Sequence, residues 1–240
     1  MPSGSDRLAE LRALVDGQPR PPSAGANRAS RLHRLCSVVV AEVPACAASL
    51  TVAAGEGLPA VVVAGVGPRA EELEELQLTL GQGPGVDVQR LGRPVLEADL
   101  AGSGSRQWPA YAPAASALGV GAVFAFPLEV GVVHLGVLDV YQSSGGELSL
   151  AGLTDCLLLA GMARNLLLED VDRDSASEVD PRWDDVLPIP ELFQAQGMVM
   201  VQLDIEPIDA LARIRAYAYA NDQRIGDVAR DIVDSRLKLD

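Results

Sequence analysis

The spacing of apolar residues changes character several times along the chain. Leu8, Leu11 and Val15 form one short amphipathic stretch, and the string Gln18-Pro19-Arg20-Pro21-Pro22 prevents it from continuing as a helix. Within 26–43, Leu32, Leu35, Cys36, Val39 and Val43 recur at three and four, which predicts a helix with one buried stripe, stopped by Pro44. Short Val- and Leu-rich runs bounded by Gly and Pro then predict strands over 48–54, 60–64, 94–100, 121–128 and 132–142. The last two are separated by Glu129-Val130-Gly131, the signature of a tight antiparallel hairpin. Between the second and third strands, Leu73, Leu76 and Leu80 at helical spacing, with a Glu-rich opposite face, predict a short exposed helix over 69–80.

Ser149 is placed to cap a further helix running to about Glu169. That helix carries two apolar stripes, one of Leu153, Leu157, Ala160 and Leu167 and another of Cys156, Leu159, Met162, Ala163 and Leu166. One stripe packs on the sheet; the other predicts a homodimer contact, the alternative being a helix buried all round within one subunit. After it, eight acids against two bases between Glu169 and Asp185 read as a solvated connector. Three helices follow over 189–203, 207–220 and 226–237, with Pro207 suited to a first helical position. The expected architecture is an α+β domain with an antiparallel sheet and flanking helices, followed by a small all-α three-helix bundle. The expected boundaries are a flexible N-terminal segment 1–25, a domain 26–169, a linker 170–188 and a bundle 189–240.

Charge narrows the partners. With 33 acidic against 19 basic residues the net charge is −14, contrary to what polyanion coating or an anionic membrane surface requires. Only 4% of residues are aromatic, so the core is aliphatic. Cys36, Cys46 and Cys156 have no CxxC spacing and are odd in number, which favours a reducing compartment. The longest uncharged stretch, 107–128, is broken by Pro109, Pro113 and Pro127, and the N-terminus has no apolar signal region, so a cytoplasmic protein is expected, with no membrane partner.

The chemistry-bearing residues are few. His33 lies between Arg31 and Arg34 and His134 lies inside a strand pattern, so neither suggests a metal site or a catalytic triad. Gly81-Gln82-Gly83-Pro84-Gly85 lacks the Lys-Ser/Thr of a P-loop and reads as a turn. No nucleophile, base and orienter can be assembled, so no enzyme, catalytic residue, metal or resident cofactor is expected.

Several strings resemble known families. The run Gln194-Ala195-Gln196-Gly197-Met198-Val199-Met200-Val201-Gln202-Leu203, the segment Ala210-Leu211-Ala212-Arg213-Ile214-Arg215-Ala216-Tyr217-Ala218 and the segment Asp227-Val228-Ala229-Arg230-Asp231-Ile232-Val233 resemble the ANTAR domain, a three-helix RNA-binding module of antitermination regulators. Leu80-Gly81-Gln82-Gly83-Pro84, Pro94-Val95-Leu96-Glu97-Ala98-Asp99-Leu100, Trp108-Pro109, Phe124-Ala125-Phe126-Pro127-Leu128 and Leu135-Gly136-Val137-Leu138-Asp139 resemble the GAF domain that commonly precedes ANTAR in actinobacterial regulators. Gly85 stands where many relatives have Cys, so no thiol role is carried over to that position.

The resemblance implies a cytoplasmic regulator that binds RNA hairpin loops in nascent transcripts and controls antitermination in response to a signal, with no DNA partner. RNA contacts are then expected from Gln196, Gly197, Arg213, Arg215, Tyr217 and Arg224. An unidentified small molecule is expected in a pocket between the sheet and segment 81–116, lined by Trp108, Tyr111 and Phe126. Residues 189–240 carry six basic against nine acidic side chains, a net −3, which calls for base contacts rather than a bulk field. The alternative is a dimeric GAF scaffold whose C-terminal helices bind protein instead of RNA.

Overall fold

A computed structural model of the chain describes residues 4–19, 28–55, 57–169 and 190–240. The predicted linker 170–188 lies outside the described residues. Five strands, β1 (Ala47–Val52), β2 (Val61–Val66), β3 (Val95–Glu97), β4 (Ala122–Val130) and β5 (Val133–Gln142), form one antiparallel sheet in the order β2-β1-β5-β4-β3. The β4–β5 hairpin closes on Gly131, whose φ of +60° is the left-handed conformation such a tight turn needs. Across it, Glu129 pairs in register with His134, and their side chains meet at 3.3 Å.

Strand alternation gives the sheet two dissimilar faces. On one, Ala48, Leu50, Phe124, Phe126, Leu128, Leu138 and Val140 pack against α1 (Gly4–Gly17), α2 (Arg28–Glu42) and α7 (Leu150–Leu168) in an aliphatic core. On the other, Ser49, Thr51, Val137, Asp139 and Tyr141 face α3 (Ala70–Leu80), α4 (Pro84–Leu91) and α6 (Tyr111–Ala117). A five-residue π-helical turn (Leu100–Gly104) and a short α5 (Ser105–Gln107) lead from β3 into α6.

Two expectations change here. Residues 4–17 are not a flexible tail: α1 buries Leu11 and Val15 in the core, and Arg7 donates from Nε and Nη2 to both carboxylate oxygens of Asp155 at 2.9 and 2.7 Å. A short apolar stripe suffices because the fork-to-carboxylate pair fixes the helix on α7. On α7, the stripe of Cys156, Leu159, Met162, Ala163 and Leu166 is the core face itself, covered by α1, α2 and the sheet. The face that motivated a dimer contact is therefore occupied within the chain, while Leu150 and Leu157 remain exposed. Ser149 caps α7 as expected, accepting from the Gly152 amide at 3.1 Å.

Residues beyond the linker form α8 (Pro190–Leu203), α9 (Pro207–Ala220) and α10 (Ile225–Val233). Leu192, Ala195, Val199, Leu211, Ile214, Ala218, Val228 and Ile232 close a separate small core, with Leu78 of α3 packed against it. The bundle thus rests on the first domain.

Candidate functional site

The polar face of the sheet carries an unusual concentration of buried acid. Asp139 lies on β5 between Val137 and Tyr141, so period-two alternation sends its side chain under α3 and α4 rather than to solvent. It is fully buried, and neither carboxylate oxygen has a hydrogen-bond partner. The backbone at Gly85 lies against it, so that a Cβ there would stand 2.8 Å from Oδ2. Glycine there lets the N-terminus of α4 rest directly on the carboxyl.

Glu74 of α3 lies close by, also buried, and accepts from Ser49 Oγ and Tyr141 OH, each at 2.5 Å. Gln77, one turn on, accepts from the Gly85 amide at 2.8 Å through Oε1 and donates to Tyr141 OH at 3.2 Å through Nε2. Burial pushes both carboxyls above the ordinary range; for Asp139 the Glu74 charge adds to the shift, and for Glu74 the Ser49 and Tyr141 hydrogen bonds partly offset it. The sequence led to an exposed, Glu-rich α3, but Ala70, Leu73, Glu74 and Gln77 share one helical face and are all buried.

Thr51, Glu74, Gln77, Gly85, Val86 and Asp139 wall one side of a cavity of about 320 Å³, and Leu192, Phe193, Arg215, Arg224 and Arg230 of the bundle wall the other. Its size is that of a small-molecule site. The bundle is held there by three polar contacts. Arg215 donates from Nε to the Leu78 carbonyl at 2.6 Å, Arg224 donates to the Glu75 carboxylate (2.8 Å from Nε), and Gln196 donates from Nε2 to the Gly57 carbonyl at 2.7 Å and, within the bundle, to the Pro207 carbonyl at 2.6 Å.

The expected site residues separate into groups. Gln196, Arg215 and Arg224 all face the first domain. Arg213 is exposed and reaches the Asp240 carbonyl at 2.8 Å; Tyr217 is half-buried against the bundle core; Gly197 has no atom within contact distance of where a Cβ would point, so its side of α8 is open. Arg215 has no carboxylate partner among the described residues, because Asp227 pairs with Arg230 and Asp231 with Arg236.

The three aromatics expected to line a pocket do not converge. Trp108 and Tyr111 stack edge-on with centroids 6.3 Å apart beneath the polar face, where Trp108 Nε1 donates to Asp87 at 3.1 Å. Phe126 points into the opposite, aliphatic core, because an even step along β4 from Phe124 keeps it on that face. None of the three lines the cavity. The signal for the real lining was an acid at a core-facing position of an apolar strand, Val137-Leu138-Asp139-Val140-Tyr141, and it was legible in the sequence.

No family model matches the sequence, and no curated protein matches it. Solved structures do. The GAF domain of a phosphoenolpyruvate-protein phosphotransferase from Acinetobacter aligns at 12% identity with a TM-score of 0.55, covering 73% of this chain and 99% of that one. The corresponding GAF domain from Coxiella burnetii aligns at 19% identity with the same TM-score, covering 72% of this chain and 96% of that one. With its five-stranded antiparallel sheet and helices on both faces, the first domain has the GAF fold.

Proposed function

We propose that the chain is a cytoplasmic, signal-responsive regulator of transcription antitermination. The GAF-fold domain takes a small molecule in the interdomain cavity, and α8–α10 act as an ANTAR-like module on RNA hairpin loops in nascent transcripts. One observation carries this reading: a single cavity is walled by Glu74, Gln77 and Asp139 of one domain and by Phe193, Arg215 and Arg224 of the other. A ligand seated there touches input and output domains together, so its binding energy acts on their contact directly. The same contact engages Gln196, Arg215 and Arg224, three of the six residues that the ANTAR resemblance assigns to RNA. Docking and RNA binding then compete, and the closed arrangement is the state that withholds RNA.

The charge balance favours a second reading, that the helices bind protein. Arg230 and Arg236 are neutralised by Asp227, Asp231 and Asp234 on the bundle itself. Crosslinking and sequencing of RNA bound to the full chain in its native cell separates the two. Recovery of transcript leaders with hairpin loops supports the RNA reading, and recovery of no RNA above a non-binding control leaves the protein-binding module.

A further inference from the structure

At the cavity wall Asp139 is fully buried and Arg215 half-buried, and neither meets a group of opposite charge among the described residues. Asp139 supplies two carboxylate oxygens with no partner, and Arg215 spends one nitrogen on the Leu78 carbonyl. Their neighbours at the wall are satisfied: Glu74 by Ser49 and Tyr141, Arg224 by Glu75, and Arg230 by Asp227. The unpaired acid belongs to the first domain and the unpaired base to the bundle. The glycine-rich turn brings both to one short stretch of chain, since Arg215 lies against Gly81 and Asp139 against Gly85, four residues on. Four residues of chain span at most about 14 Å.

Held out of water, the unpaired acid ionises only at a cost and the unpaired guanidinium keeps its charge at a cost, so a ligand carrying a single charge would relieve only one end. A ligand carrying both relieves both, while adding no net charge to the cavity. We infer that this cavity binds a small zwitterion of the α-amino-acid class, its ammonium group on Asp139 and its carboxylate on Arg215. The inference rests on the reading of the cavity as the sensor site and goes beyond it by naming the ligand class and the direction of control. Because the ligand bridges the two domains, it stabilises the docked arrangement and keeps RNA off.

The test is calorimetry and thermal shift on the full chain with the standard α-amino acids and, for each that binds, the matching amine and the matching deaminated acid. At least one amino acid should bind, with both single-charge analogues weaker by about tenfold or more. Asp139→Asn and Arg215→Gln should each weaken that amino acid by about tenfold, and its binding should slow amide exchange in α9 of the wild type. The analogue series uses wild-type protein, so it decides the matter even where a variant fails to fold. Equal binding of either single-charge analogue, or affinity unchanged in both folded variants, overturns the zwitterion. A small-molecule cell extract that raises the melting temperature, loses that effect in Val86→Trp and contains no active amino acid overturns the ligand class and leaves the sensor reading standing. An extract with no effect overturns both.

Discussion

Asp139 is where the sequence's apolar rhythm and the chemistry part company. A strand that places Val137, Asp139 and Tyr141 on one buried face holds its acid at a cost, and burial beside Glu74 raises the carboxyl well above the ordinary carboxylate range. The groups facing it are Glu74 from α3, Tyr111 from α6 and Tyr141 on its own strand, and burial raises the titration of each. A carboxyl raised in the folded state holds its proton more tightly there than in the unfolded chain. The stability it contributes is therefore complete below the unfolded value and is lost as pH climbs through the folded one. Asp139→Asn should remove that loss, giving a variant more stable than wild type at pH 8 by about 1–3 kcal/mol, with the gap closing toward pH 4. Chemical denaturation at the two pH values measures it, and a pH-independent difference would contradict the assignment. Gly85→Ala should destabilise by about 1–3 kcal/mol, because its Cβ would meet Oδ2 at 2.8 Å and the α4 N-terminus has to lift. Equal urea midpoints for Gly85→Ala and wild type would show that α4 gives way freely.

At the scale of elements, strands and long helices were legible because their apolar periods coincide with the faces they bury. The predicted strand 132–142 and the observed β5 differ by one residue, and α9 is the predicted 207–220. α4 and α6 went unseen. Pro84-Gly85 and Pro113 read as turn residues, yet Pro84 occupies the first turn of α4, where its missing donor is harmless. The role of α1 was hidden for another reason: an Arg7 fork onto Asp155, 148 residues away, leaves no trace in local periodicity. Arg7→Ala should cost about 1–3 kcal/mol by stranding the nearly buried Asp155, and it should speed proteolytic cleavage within α1. Cleavage no faster than in wild type would mean that Leu11 and Val15 hold the helix alone. On α7, Leu159→Ala should cost about 2–5 kcal/mol as a buried deletion, and Leu159→Glu should give unfolded protein rather than a folded monomer. A folded Leu159→Glu chain of halved mass in light scattering would restore the dimer contact.

For the whole molecule, the organisation turns on the bundle lying against the GAF-fold domain with Gln196, Arg215 and Arg224 inward. The separate contacts are modest; Arg224 is exposed while its partner Glu75 is mostly covered, and such a half-exposed pair is worth about 1 kcal/mol. A clasp of that strength costs little to break, which the proposed switch requires, and the sequence held no sign of it because it joins residues more than 130 positions apart. A covalent lock tests it most directly. A Cβ placed at Gly57 would stand 3.5 Å from the Ile208 Cβ, within the range a disulfide spans. Gly57→Cys with Ile208→Cys, in a chain whose Cys36 and Cys156 are buried and whose half-buried Cys46 is replaced by Ser, therefore ties the bundle to the first domain when oxidised and frees it when reduced. The measurement is affinity for a hairpin-loop RNA recovered by crosslinking, taken on the same preparation before and after reductant. The expected result is binding that is lost in the oxidised chain and returns on reduction, and equal affinity in both states would contradict the closed, RNA-withholding arrangement.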